Sequence, residues 1–195
     1  MSAAARAARI GPERFQRLYE RSEDPWDYDT SDYEREKYAN TLALLPGARV
    51  GRALEVGCSI GVFTAQLAQR CEQVVALDFA PLALASARRR LDAVENVHLL
   101  QASFPEQAPA GPWDLVLCSE VLYYLDRRSL ILATSWLREQ LEGGASVIAV
   151  SWRGTGVDEP WKGDEVHDML ACELARWHSF DRRRRDYRLD RFDPR

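Results

Sequence analysis

Short apolar runs alternate with helical stretches along most of this chain, and that alternation leaves few folds open. Residues 52–56, 73–77, 97–101, 113–119 and 145–152 predict five strands. Helices are expected over 63–70, 81–91 and about 128–141, with Pro81 in the first turn of its helix. A strand that is apolar throughout must be covered on both faces, as in a parallel sheet between two helical layers. The pattern therefore predicts a doubly wound α/β domain with a mostly parallel sheet.

The two ends depart from the alternation. Residues 12–22 predict a short helix with Phe15, Leu18 and Tyr19 at helical spacing. A second helix is expected over 32–45, stopping before Pro46-Gly47, with Ser31 as its cap and Glu34 placed as in a capping box. After the fifth strand, 164–175 predict a helix and 177–192 a final antiparallel hairpin. The expected organisation is a single domain, with helices in 1–48 ahead of a core in 49–195.

The first strand delivers Glu55-Val-Gly57-Cys-Ser-Ile-Gly61 into a helix. Glycine at 57 lets the backbone turn sharply and approach a ligand, and Gly61 allows the next helix to pack tightly. The plain alternative is a strand–helix connection with no ligand. G-x-G-x-x-G, which grips a pyrophosphate, is absent, because Ser59 stands at the middle glycine; G-x-x-x-x-G-K-[ST] is absent too. The acidic Glu55 before the first glycine suits a zwitterionic or cationic ligand better than a pyrophosphate. Asp78 closes the second strand, where a carboxylate can accept both hydroxyls of a ribose.

Composition narrows the partners. A chain of 195 residues fits one domain. Its 26 basic against 30 acidic residues give a net charge of −4, which argues against a protein held along a nucleic acid backbone. Arg182-Arg183-Arg184-Arg185 has Asp181, Asp186, Asp190 and Asp193 close by, as on an exposed hairpin. No apolar run is long enough to span a bilayer, and the first ten residues lack the apolar core of a signal peptide, so a cytoplasmic protein with no membrane partner is expected. Four cysteines form no CxxC pair and three histidines are scattered, so no metal site is expected.

Glu55-Val-Gly57-Cys-Ser-Ile-Gly61 with Asp78, followed by the fourth-strand segment 113–125, resembles the class I S-adenosylmethionine-dependent methyltransferases. Segment 24–38, rich in Trp and Tyr, together with 163–170 (GDEVHDML) and 187–190 (YRLD), resembles the nodulation protein S branch. That resemblance implies a seven-stranded Rossmann-like sheet with a C-terminal antiparallel hairpin and N-terminal lid helices. It implies N-methylation of an amino group on a deacetylated chitooligosaccharide or similar amino sugar, with S-adenosylmethionine as cofactor. Gly57, Cys58, Ser59 and Gly61 would wrap the cofactor's amino acid portion, with Glu55 beside them. Asp78 would take the ribose, Phe79 the adenine face, and Ser119 the neighbourhood of the methionine part. Ser103 and Phe104 follow the third strand, where many relatives carry an Asp; Ser103 departs from that preference, as Ser59 does from the middle glycine. Trp26 and Tyr33 belong to the expected lid with Tyr28 and Tyr38, and Lys37 or Arg35 would meet the cofactor carboxylate.

The sulfonium already supplies a good electrophile. The protein is left to position an unprotonated nitrogen, roughly 3 Å from the methyl carbon, to exclude water and to accept a proton. Candidates for these tasks are Glu120, Tyr123, Tyr124 and His167. Each has a plainer reading: the tyrosines pack a helix start, His167 is a satisfied core histidine, and Glu120 holds backbone amides. Trp152 and Trp161, the latter in a Gly/Pro-rich loop, are candidate sugar-stacking surfaces. A monomer acting on a small-molecule amine is expected. O-methylation of another metabolite, and a cofactor-binding module without turnover, are the alternatives on the same scaffold.

Overall fold

The computed structural model describes residues 11–154 and 159–195. The reading of the first ten residues, and part of the Gly/Pro-rich loop before Gly163, lie outside the described residues. Seven strands form one sheet in the order β3-β2-β1-β4-β5-β7-β6. They are β1 (Val50–Val56), β2 (Cys71–Asp78), β3 (Val97–Gln101), β4 (Leu115–Ser119), β5 (Ser146–Trp152), β6 (His178–Arg183) and β7 (Tyr187–Phe192). β1 to β5 pair in parallel, and β7 runs antiparallel to both β5 and β6. The expected fold class and C-terminal hairpin are both present.

Among the described residues, six α-helices accompany the sheet: α1 (Pro12–Arg21), α2 (Asp32–Leu42), α3 (Val62–Ala68), α4 (Pro81–Arg90), α5 (Arg127–Glu142) and α6 (Gly163–Glu173). Alternate strand residues feed two cores. Leu54, Val56, Val116 and Val147 meet Leu130, Leu137, Val166 and Leu170 of α5 and α6 on one face. Ala53, Val74, Leu115 and Ile148 meet Tyr38, Phe63, Leu67 and Leu84 on the other. Strands covered on both sides are apolar throughout for this reason.

Several boundaries move. α2 ends three residues early because Leu44 and Leu45 close tight turns through their amides and drop into the core. β1 starts two residues early, since Val50 already pairs with Cys71 in a register that needs only backbone. β4 starts two residues late: Trp113 is buried but outside the ladder, and Asp114 accepts from the Arg52 amide at its edge. β1 lies between β2 and β4, so the strand order reverses there. In such a sheet the crevice at the strands' carboxyl ends is where ligands bind.

Candidate active site

A cavity of about 440 Å3 occupies that crevice, with α1 and α2 over it. Its floor is the turn after β1. Gly57 has φ +81, and a Cβ there would meet Val121 Cγ2 at 2.2 Å. Gly57 and Cys58 donate their amides to Leu77 O at 2.8 and 3.0 Å, which ties the turn to β2. Gly61, φ +79, caps α3, and a Cβ there would approach Leu91 Cδ1 to 3.0 Å. Its role is helix packing, and it does not line the cavity. Ser59 also takes a left-handed conformation, φ +50, although it is not glycine. It is secured from both sides, by an amide hydrogen bond to Asp78 Oδ2 at 3.0 Å and by its hydroxyl 2.5 Å from Tyr19 OH.

Asp78 ends β2 with one oxygen on the Ser59 amide and the other on the Ala80 amide at 2.8 Å. Burial raises its carboxyl, and these amides offset part of the rise. The carboxylate is therefore held in one orientation facing the cavity. Phe79 follows it and meets Phe15 of α1 edge-on at 5.3 Å. Phe15 in turn touches Tyr124 at 5.0 Å, so α1 bridges the two halves of the crevice.

The other half is built around Glu120, which sits beyond β4 at φ +56. Non-glycine residues in that region cost about 1–3 kcal/mol each and cluster at functional sites. Glu120 Oε1 accepts from Lys37 Nζ at 2.7 Å, while Oε2 accepts from the Tyr123 hydroxyl at 2.7 Å and the Trp152 amide at 2.9 Å. Lys37, 1% exposed, also donates to Glu34 Oε1 at 2.8 Å and lies 4.7 Å from the Tyr33 ring centroid. Burial alone would lower the ammonium, but Glu120 and Glu34 outweigh it and hold Lys37 above its usual range. Tyr123 and Tyr124 pack at 4.3 Å between centroids, and burial pushes the Tyr124 hydroxyl up to about 12.

Most sequence-selected residues meet here. Trp26, Tyr33, Lys37, Gly57, Ser59, Asp78, Phe79, Phe104, Ser119, Glu120, Tyr123 and Tyr124 all line the cavity, as does Trp152. Glu55 and Cys58 lie beneath it, on a small side pocket. Lys37 is already paired with two carboxylates, and Arg35 points outward to Thr30 O and Asp32. Ser103 does not line the cavity; its amide closes a turn on Gln107, and Ala102 takes its place. Trp161 is also elsewhere, packed on the core with Nε1 donating to Leu125 O at 3.0 Å.

His167 is the clearest correction. It is 0% exposed, its Nδ1 sits 2.8 Å from Asp190 Oδ2, and it does not line the cavity. Arg188 completes the group, reaching Asp190 at 3.3 Å, Asp168 at 2.6 Å and Asp181 at 2.8 Å. The 163–170 and 187–190 segments thus meet as a buried charge cluster joining α6 to β7. Among the described residues, no group of three or more His, Cys, Asp or Glu could hold a metal ion, and no helix is long and apolar enough to cross a membrane.

Glu34 was missed as a site residue because its spacing from Ser31 marks a capping box. Ser31 does accept from the Glu34 amide at 3.3 Å, but the Glu34 side chain turns inward to Lys37. The signal was the i,i+3 carboxylate–lysine pair on a helix with aromatic neighbours. Phe15, Tyr19 and Glu159 also line the cavity.

A family model described as Nodulation protein S (NodS) matches residues 13–161. Nodulation protein S of Sinorhizobium fredii is 35% identical over 106 residues, covering 54% of this chain and 49% of that protein. The Rhizobium tropici counterpart is 32% identical over 134 residues, covering 68% of this chain and 56% of that protein. The chain thus spans about half the length of the curated relatives it matches. Among solved structures, N-methyltransferase NodS from Bradyrhizobium japonicum WM9 in complex with S-adenosyl-L-homocysteine superposes with a TM-score of 0.77 at 22% identity, covering 94% of this chain and 98% of that one.

Proposed function

This chain belongs to the nodulation protein S family, and from that premise we propose that it is an S-adenosylmethionine-dependent methyltransferase that N-methylates a small-molecule amine. The observation that carries this reading is the pairing, across one cavity, of a glycine cradle plus fixed Asp78 carboxylate with an acidic, aromatic far end. The residues present fit the cofactor: Gly57 brings the tight turn to the cavity wall, Asp78 offers oriented acceptors for vicinal hydroxyls, and Phe79 gives an aromatic face. When bound, the cofactor supplies a methyl group on a positively charged sulfur.

The far end favours an amine over a neutral hydroxyl acceptor. Two carboxyl groups, Glu34 and Glu120, flank the single ammonium of Lys37, and Tyr33, Tyr123, Tyr124 and Trp152 add ring faces that attract a cation. The Tyr123 hydroxyl donates to Glu120 and has the Tyr124 hydroxyl 3.4 Å away, which leaves one lone pair of its oxygen to accept from an acceptor N–H. A proton leaving the amine passes through that hydroxyl to Glu120 Oε2, and Lys37 stabilises the carboxylate before the transfer. α1 and the Trp26 turn exclude water from this step. The resemblance carried by segments 24–38, 163–170 and 187–190, with the Trp152 wall, supports a deacetylated chitooligosaccharide or similar amino sugar in the cytosol as acceptor.

The test is a labelled-methyl screen over deacetylated chitin oligomers, simple polyamines and hydroxyl acceptors, with product masses. Mass gain on an amine is expected, and Glu120→Gln should cut turnover about 100-fold while leaving S-adenosylhomocysteine affinity unchanged. Label on oxygen, or wild-type turnover by the variant, refutes the assignment it addresses.

A further inference from the structure

The chain leaves the sheet at Trp152, the last residue of β5. The ladder from β5 to β4 has already ended, at the Val150–Ser119 pair. The Trp152 amide therefore has no strand partner on that side and donates instead to Glu120 Oε2 at 2.9 Å. Its ring lines the cavity. Both contacts depend on how the chain is held just past the end of the strand.

Arg153 does the holding. Its Nε lies 3.0 Å from both carboxylate oxygens of Asp164, in the first turn of α6. Its Nη1 donates to the carbonyls of Arg184 and Arg185 in the turn between β6 and β7, and its amide donates to Asp186 O at 2.9 Å. One residue thus joins three elements, a task that suits a guanidinium fork better than a point charge. The Arg153 and Asp164 side chains are 28% and 32% exposed, so this is not the fully solvated kind of ion pair that contributes little. α6 also abuts Trp152 directly: a Cβ at Gly163 would run into the Trp152 carbonyl.

The same turn reaches the other side of Glu120. The Tyr33 hydroxyl donates to Asp186 O at 3.5 Å, and the Tyr33 ring lies under Lys37 Nζ, which donates to Glu120 Oε1 at 2.7 Å. Two routes from Arg153 therefore converge on Glu120, one at each carboxylate oxygen, although Arg153 does not line the cavity.

We propose that Arg153, clamped to Asp164, is a positioning residue for methyl transfer: it keeps the Trp152 amide on Glu120 and the Trp152 ring on the cavity wall. This rests on the reading of Glu120 as proton acceptor given above. Without the clamp, Glu120 loses one of the two donors that aim its Oε2, and the proton transfer slows, while the glycine turn and Asp78 stay as they are.

Arg153→Gln and Asp164→Ala in the full chain test this, with Glu173→Gln as the comparison, because it breaks an exposed ion pair to Arg138 at the far end of α6. The first two should lower kcat with a deacetylated chitin oligomer about tenfold and leave S-adenosylhomocysteine affinity unchanged. In amide NMR spectra of the chain with isotope-labelled tryptophan, the Trp152 signal, assigned by its loss in Trp152→Phe, should move upfield in Asp164→Ala as its charge-assisted hydrogen bond weakens. Glu173→Gln should change none of these readouts. Asp164→Ala leaves Arg153 its carbonyl partners and decides the matter where Arg153→Gln does not fold. Unmodified kcat in the clamp variants overturns the proposal, and so does a fall in kcat with the Trp152 signal unmoved. A like fall in Glu173→Gln, or a parallel loss of S-adenosylhomocysteine affinity, reduces the clamp to fold stability and overturns it too. An unmodified chain inactive on every amine overturns the proposed function and the step assigned to the clamp, whereas an unmoved amide signal overturns the clamp alone.

Discussion

Two clusters of buried charge differ in what they border: one lines the cavity of the crevice and the other does not. Under the hairpin, His167, Arg188 and Asp190 pack between α6 and β7 and do not line that cavity. In the crevice, Glu34, Lys37 and Glu120 are nearly as buried but form the wall of a cavity of about 440 Å3. Both clusters join elements far apart in sequence, and both contain residue types that suggest chemistry. Burial of charge therefore does not mark a site. Room for a ligand next to charge does.

The sharpest way to break this comparison is to remove the cation from each cluster. Lys37→Met leaves Glu34 and Glu120 facing each other, and Arg188→Met leaves Asp190 without its guanidinium. Each should cost about 3–5 kcal/mol in urea unfolding. Only Lys37→Met should also abolish turnover by the folded fraction. An Arg188→Met enzyme that folds but does not turn over would erase the distinction.

A smaller effect is expected from paired changes on the two sides. Asp78→Ala should weaken S-adenosylhomocysteine about 100-fold, because an oriented carboxylate is lost from the cavity wall. His167→Gln should cost about 1–3 kcal/mol of stability and leave affinity and kcat/KM as they were. Changed kinetics in His167→Gln would return that residue to the site.

The smallest effect is in pH, and its sign differs between Glu55 beneath the crevice and Asp168 beside Arg188. Glu55 holds its proton up to about 7 in the folded chain, above the ordinary carboxylate range. The folded state then binds a proton that the unfolded state has lost, so this residue's contribution falls as pH rises from about 4.5 to 7. Asp168 is shifted the other way by its hydrogen bond from Arg188, so its contribution is present above the ordinary value and lost as pH falls. Thermal melts across this range should show Glu55→Gln gaining stability relative to the unmodified chain above pH 7. Melts extended below about pH 4 should show Asp168→Asn losing its deficit in acid. Parallel curves would mean that neither carboxyl is shifted.

Much of this was legible in advance. The sheet, the hairpin, the glycine turn and Asp78 follow from local pattern, because apolar runs, glycines and a strand-terminal acid act within a few residues of themselves. Ser103 failed for a local reason too: the chain turns after β3, and Ala102 faces the cavity instead. Glu34 and His167 failed for a different reason, and they failed in opposite directions. One looked like a helix cap and faces the cavity; the other looked like a catalytic base and is locked against Asp190.

Local spacing and residue type thus determined which elements form and where the chain bends toward a ligand. Tertiary structure alone decided which ionisable groups are paired with distant partners inside the core and which line the cavity. The reason is that a hydrogen bond such as Lys37 to Glu120 or His167 to Asp190 depends on the packing of separate elements. No periodicity within either element encodes that meeting.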